Sequence, residues 1–173
     1  MANYAYTDYY FVGSKKELTE FIEIISEKDT SALLGISEIK EIEEDYAPEI
    51  FRVFISTETK WHEYTEGFAK IIEDNLFSIK MHWISEELSN GYFAKSTDSD
   101  FYFPFRYLFE ADIVCEDGEI FKEYFETESA LVDYANEILE KDFTSMKDVE
   151  KFADEFNTAH DEDDIIVLKA VEK

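Results

Sequence analysis

The residues of this 173-residue chain with the most chemistry to offer are three histidines and one cysteine. His62 stands between Trp61 and Glu63 at the start of a helical pattern. An imidazole there can act as general acid or base, although a surface histidine near a helix start explains the position better. His82 lies on the polar side of an alternating segment, with Glu86 and Glu87 beyond it. A carboxylate and a histidine can hold a metal, but scattered histidines do not give the ligand spacing of a metal centre. His160 opens the run Asp161, Glu162, Asp163 and Asp164. This run lacks the glycine and the distal glutamate of a calcium-binding EF-hand, so it reads as a solvated acidic turn. Cys115 is followed by Glu116 and Asp117, whose charges oppose thiolate formation and disfavour a nucleophile. Phosphate-binding loops, nucleophile elbows and paired cysteines are absent from the sequence. The expectation is therefore a non-enzymatic protein with no catalytic residue, no metal and no cofactor; hydrolytic or metal-dependent chemistry at His62 or His82 is the least favoured reading.

Carboxylates are the other chemically active groups, and they are arranged for recognition. Glu17, Glu20, Glu23 and Glu27 recur every three or four residues, which puts them on one side of a helix about 5 to 6 Å apart. Asp133, Glu137 and Glu140 repeat the arrangement on a later helix. The whole chain has 42 acidic against 16 basic residues and a formal net charge of −26. Like charges so spaced cost stability, so the surface calls for a compensating use. Two plain uses are solubility and life in high salt, but halophilic proteins usually lack an aromatic fraction as large as the 17% here. The third use is imitation of a nucleic-acid backbone, whose charge a basic groove recognises largely irrespective of sequence.

These groups need a scaffold, and residues 50–88 provide its clearest part. Phe51, Val53 and Ile55 alternate with Arg52 and Ser56, as in a strand with one buried face. Tyr64, Phe68, Ile71 and Ile72 then fall on one helical stripe, with Thr65 as its expected N-cap. Phe77, Ile79, Met81 and Trp83 alternate with Ser78, Lys80 and His82 in a second strand. Trp61 joins Phe68, Ile71, Ile79, Met81 and Trp83 in the core expected under the helix. Such a β-α-β unit runs its two strands parallel and lays the helix on the sheet.

Ahead of this unit, residues 4–12 are aromatic on both faces and predict an interior strand. Ser14 and Glu17 form a capping-box pattern, and Leu18, Phe21, Ile22 and Ile25 carry a first helix to about Lys28. Residues 29–46 fit neither period, because Ile36, Ile39 and Ile42 recur every third residue; a strand over 37–44, turned by 45–48, would complete the order β-α-β-β-α-β. Behind it, a turn at 89–91 leads to a short strand over 92–95. A strand over 105–115, the Asp117-Gly118 turn and a return strand over 120–125 make a hairpin. Two helices follow, the second capped by Ser145 with Asp148, and a last strand covers 165–171.

The front half resembles the YubB-type ferredoxin-like domain family of phages and plasmids, whose biochemical role is unsettled. Met1 and Asn3 lead into a strand ending Val12-Gly13; Phe54, Thr57, Thr59 and Trp61 match the family's strand end before its second helix; Glu86 and Gly91 with Tyr92 and Phe93 match its later strand and glycine hairpin. Tyr4-Ala5-Tyr6-Thr7 replaces the family's Trp-Cys-Ser-Asn run. The resemblance spans residues 1–95 and implies a ferredoxin-like fold and a mobile-element origin more than an activity.

With 45% hydrophobic residues the chain can fill a core, and no apolar run reaches the length of roughly 20 residues needed to cross a membrane. A single cysteine suits a reducing cytoplasm. The expected fold is one α+β domain over 1–173: a ferredoxin-like β-α-β-β-α-β core in 1–95, extended over 96–173 by a β-hairpin, two helices and a final strand. The expected function is an acidic binding protein from a mobile element. It would dock as a DNA or RNA mimic on a basic nucleic-acid-binding partner, in the manner of an anti-restriction or anti-CRISPR inhibitor, without binding nucleic acid or membrane itself. The rival expectation is a ferredoxin-like scaffold or ligand-binding domain whose acidity serves solubility.

Overall fold

The computed structural model describes residues 4–60, 63–87, 92–112, 120–159 and 165–171. The chain is a mixed α+β protein that divides into two compact units, Met1–Phe103 and Pro104–Lys173.

In the first unit the chain runs β1 (Tyr4–Gly13), α1 (Lys15–Ile25), α2 (Lys28–Leu34), β2 (Ile36–Ile39), β3 (Glu43–Glu44), β4 (Phe51–Lys60), α3 (Thr65–Asp74), β5 (Lys80–Glu87) and β6 (Tyr92–Lys95). The sheet order is β2-β4-β1-β5-β6, with β3 also on β4, and every neighbouring pair is antiparallel. Because β4 and β5 both oppose β1, they run in the same direction with β1 between them. The expected β-α-β unit is present in this split form, and the expected interior strand is the sheet's central one.

Alternation in β1 decides which face is which. Ala5, Thr7, Tyr9 and Phe11 are buried, whereas Tyr10 and Val12 project to the other side and are half-buried. Tyr9 and Phe11 join Val53 and Ile55 of β4, Leu18, Phe21 and Ile25 of α1, Leu34 of α2, Phe68 of α3 and Ile79 in one core. Phe11 lies 4.7 Å from Phe21 and 5.1 Å from Phe68 between ring centroids, so an aromatic cluster forms the centre of a core whose other buried members are aliphatic. Of the expected core, Ile71, Met81 and Trp83 pack at its margin, and Trp61 lies outside the described residues.

Several boundaries differ from expectation for local reasons. Helix α1 stops at Ile25 and not at about Lys28, because the Ser26 N–H closes on the Ile22 and Ile24 carbonyls, and a second helix, α2, follows. Gly35 ends α2 at φ 66°, a left-handed conformation that glycine adopts without strain. The every-third isoleucines do not support one continuous strand. β2 and β3 are separate pieces on β4, with the register shifting between Ile36 and Glu38. Thr65 is the first helical residue of α3 and not its cap; Tyr64 holds the cap position without a side-chain bond.

The second unit holds β7 (Tyr107–Asp112), β8 (Ile120–Phe125), α4 (Glu128–Leu139), α5 (Met146–Ala159) and β9 (Ile165–Ala170), in the expected order β-β-α-α-β. Its sheet is antiparallel with β7 central. Phe109, Ala111 and Ile166 meet Leu131 and Ala135 of α4 and Val149 and Ala153 of α5 in a separate core. Two asparagines act as extra backbone. The Asn157 side chain exchanges two bonds of 2.8 Å with Ile166, donating to its carbonyl and accepting from its amide. Asn136 holds Phe143 in the same way. Thr127 caps α4, and Ser145 with Asp148 caps α5 as expected. The turns expected at 89–91 and 117–118 lie outside the described residues, but the strands they join pair as expected.

Candidate functional site

At the end of β1 in the first unit, a cleft of about 960 Å³ opens between the start of α1, the 45–50 turn, the beginning of β5 and the 96–102 loop. Each wall has a sequence reason to be there. Gly13 ends β1, and Ser14 caps α1 by accepting from the Glu17 amide at 3.2 Å. The Glu17 carboxylate accepts in turn from the Ser14 hydroxyl at 2.7 Å and from the Ser78 amide at 2.8 Å, which ties α1 to the chain entering β5. Those bonds to Ser78 and Ser14 hold the Glu17 carboxyl below its ordinary pKa. The 45–50 turn closes with Ile50 N–H to the Ala47 carbonyl, and Glu49 takes a left-handed φ of 66°. The 96–103 loop folds on Ser99, whose carbonyl accepts from Tyr102 and Phe103, and is fixed to the sheet by Lys95 bonding the Phe103 carbonyl at 2.9 Å.

His82, Tyr102 and Asp45 of the cleft lining belong to a polar aromatic cluster on the sheet face away from α1 and α3. Tyr10, Phe54 and His82 are neighbours there by strand register, and Tyr102 lies over them from the loop, 5.2 Å from Tyr10 and 4.7 Å from His82. The Tyr102 hydroxyl donates to Asp45 Oδ2 at 2.6 Å. Burial, and then that neighbouring carboxylate, raises the Tyr102 pKa, so it stays a protonated donor. Arg52 stands over the rings of Tyr10 and Tyr46 at 5.3 and 5.6 Å, with its guanidinium 3.4 Å from Glu43 and 3.9 Å from Asp45. Burial lowers the His82 pKa against the opposing pull of Asp98, so its imidazole is neutral at pH 7.

The expected site residues are distributed otherwise. Glu20 and Glu23 lie exposed on the outer side of α1, whereas Glu17 is drawn into the cap and Glu27 lies beyond the helix end. Asp133 and Glu137 are exposed on α4, and Glu140 is its left-handed cap at φ 51°. The first four therefore belong to one unit and the last three to the other. Lys16 pairs with Glu20 at 3.7 Å; among the described residues, Glu23, Glu27, Asp133 and Glu137 have no ion-pair partner.

His82 does not meet Glu86 as a metal ligand would, because four residues along a strand span roughly 13 Å. Its acidic neighbours are Asp98 and Asp45. Among the described residues no group of three or more histidines, cysteines and acids is placed to hold a metal ion. His62, Cys115 and His160 lie outside those residues.

Sequence reasoning missed Asp45, Asp98, Tyr102 and Arg52. A signal was available in the Phe101, Tyr102, Phe103 run, which is aromatic where a connecting loop would be polar. The cleft offers carboxylates and aromatic side chains, a set suited to recognising cations. The chain matches no protein-family model, no curated protein and no solved structure.

Proposed function

We propose that this is a non-enzymatic acidic protein that docks on the basic surface of a nucleic-acid-binding partner and competes with that partner's DNA or RNA, as an anti-restriction or anti-CRISPR type inhibitor does. The observation that carries the reading is the exposed acid on the helical side of the first unit. Glu20, Glu23 and Glu27 are exposed on and just beyond α1, Lys16 pairs with Glu20 alone of the three, and the chain's 42 acids far outnumber its 16 bases. Coulomb attraction to a basic groove gives such a surface fast, salt-sensitive association. The strand order β2-β4-β1-β5 with antiparallel neighbours supports reading the first unit as a ferredoxin-like module, in keeping with the resemblance of residues 1–95 to the YubB-type family.

The test is a pull-down from a bacterial lysate with the tagged protein, followed by competition with double-stranded DNA. Recovery of a nucleic-acid-binding protein that DNA displaces supports the reading; recovery of none contradicts it. One observation favours a second reading, a ligand-binding domain whose acidity serves solubility, and that is the cleft itself. A solubility role predicts that reversing Glu20, Glu23 and Glu27 to lysine leaves every association unchanged.

A further inference from the structure

We propose that the cleft at the end of β1 binds a guanidinium group, the head of an arginine side chain; that the arginine belongs to a partner protein rests on the docking reading above. Charge selects the sign of the ligand. Glu17, Asp45, Glu49 and Asp98 line the cleft against the ammonium of Lys80 and, behind Asp45, the guanidinium of Arg52, and four negative charges against two positive ones repel an anion and draw in a cation.

Asp45 gives an independent reason. Its side chain is only 7% exposed, and while Oδ2 accepts from Tyr102, the buried Oδ1 has no hydrogen-bond partner in the protein. The nearest cation, Arg52, is at 3.9 Å and beyond hydrogen-bond reach. Beside it the buried His82 Nδ1 also has no hydrogen-bond partner. Buried polar atoms are paired in roughly nine cases out of ten or more, so these two, with the unpartnered Arg52 Nε beside Asp45, leave bonding that an external group can complete.

The rings decide between kinds of cation. Phe101, which is 60% exposed, and Tyr102 line the cleft next to the carboxylates, with Tyr102 covering His82. A planar guanidinium can stack on a ring and bond a carboxylate through two N–H groups at once, whereas an ammonium is a hydrated point charge. The same surroundings already hold a guanidinium within the chain, since Arg52 lies over Tyr10 and Tyr46 beside Glu43 and Asp45. With about 960 Å³ the cleft has room for a whole side chain and its neighbours.

The experiment follows the His82 imidazole by NMR in the full chain as N-acetyl-L-arginine amide or N-acetyl-L-lysine amide is added. The arginine amide is expected to shift His82 saturably, with the lysine amide at least about threefold weaker. Replacing the exposed pair Asp98→Asn and Phe101→Ala should weaken the arginine response by about tenfold while resonances away from His82, Tyr46 and the 96–103 loop stay unchanged. No saturable shift, an equal response to both amides, or an unaffected double variant would overturn the proposal; an equal response of wild type and variant would also mean that ordered water alone serves Asp45 and His82. The double variant is then carried through the lysate pull-down. If it loses the partner that wild type recovers, the arginine is the partner's. A variant that recovers the partner as well as wild type overturns the partner's arginine as occupant and leaves the acidic docking reading intact. If the arginine amide binds but no basic protein is recovered, the docking reading fails and the site is supported as one for a free guanidinium compound.

Discussion

At the scale of single residues, burial rather than identity decides what the polar groups do. His82 was conspicuous as a histidine on a polar strand face, yet the loop carrying Tyr102 and Asp98 covers it and sets its behaviour. Its folded pKa is lowered, so below the ordinary value of 6.5 the unfolded chain takes up a proton that the native state resists. The charged and titratable groups facing it are Asp98, Asp45, Lys80 and Tyr102. The stability linked to His82 is thus complete above that value and is lost as pH falls through it toward the folded pKa. The difference in urea midpoint between His82→Gln and wild type should move in the variant's favour from pH 7.5 to about pH 5. A pH-independent difference would contradict the lowered pKa. Ile79→Ala and Phe68→Ala, both in the first core, should cost roughly 2 to 5 kcal/mol in the same assay. An unmoved midpoint would remove the residue from the core.

At the scale of elements, the caps and turns make sharper predictions than the strands. Ser14→Ala removes the α1 cap and the bond that helps hold Glu17 against Ser78, so a loss of about 0.5 to 2 kcal/mol is expected from chemical denaturation. Gly35→Ala combines a left-handed φ of 66° with a Cβ that would meet the Glu58 carbonyl of β4. It should destabilise by more than about 1 kcal/mol, whereas in open helix the same change would stabilise. Asn157→Ala leaves the Ile166 amide and carbonyl without their shared partner, and a loss of roughly 1 to 3 kcal/mol is expected.

The elements also show why only part of the fold was legible in the sequence. α1 and the α5 cap were readable because each writes a period or cap pattern into adjacent residues, β1 because it is aromatic on both faces, and β6 and β8 because turn residues precede them. Between Asp29 and Tyr46 no period dominates, since α2 is short and β2 and β3 are held by β4 rather than by their own pattern. The cleft was unreadable for a related reason. Val12, Asp45, His82 and Tyr102 are far apart in the chain and meet only because β1 is inserted between β4 and β5 and the 96–103 loop folds back. The acidic stripe was half legible. Its spacing holds for Glu20 and Glu23, but Glu17 belongs to a cap and Glu27 to the next helix's start.

At the scale of the whole molecule, net charge is the dominant physical fact. With 42 acids against 16 bases the native state repels itself, and screening should relieve that repulsion. Added sodium chloride is therefore expected to raise the melting temperature, and a melting temperature that falls with salt would mean that local ion pairs such as Arg52 with Glu43 outweigh the global charge. Among the described residues no helix is long and apolar enough to cross a membrane.

The most direct test of the docking account is the salt dependence of binding between the purified protein and the partner recovered from lysate. The logarithm of the affinity should fall steeply and linearly with the logarithm of salt concentration, and the Glu20→Lys, Glu23→Lys, Glu27→Lys variant should bind more weakly with a shallower slope while its unfolding midpoint stays near that of wild type. An affinity indifferent to salt, or a charge-reversed protein that binds as well as wild type, would contradict it.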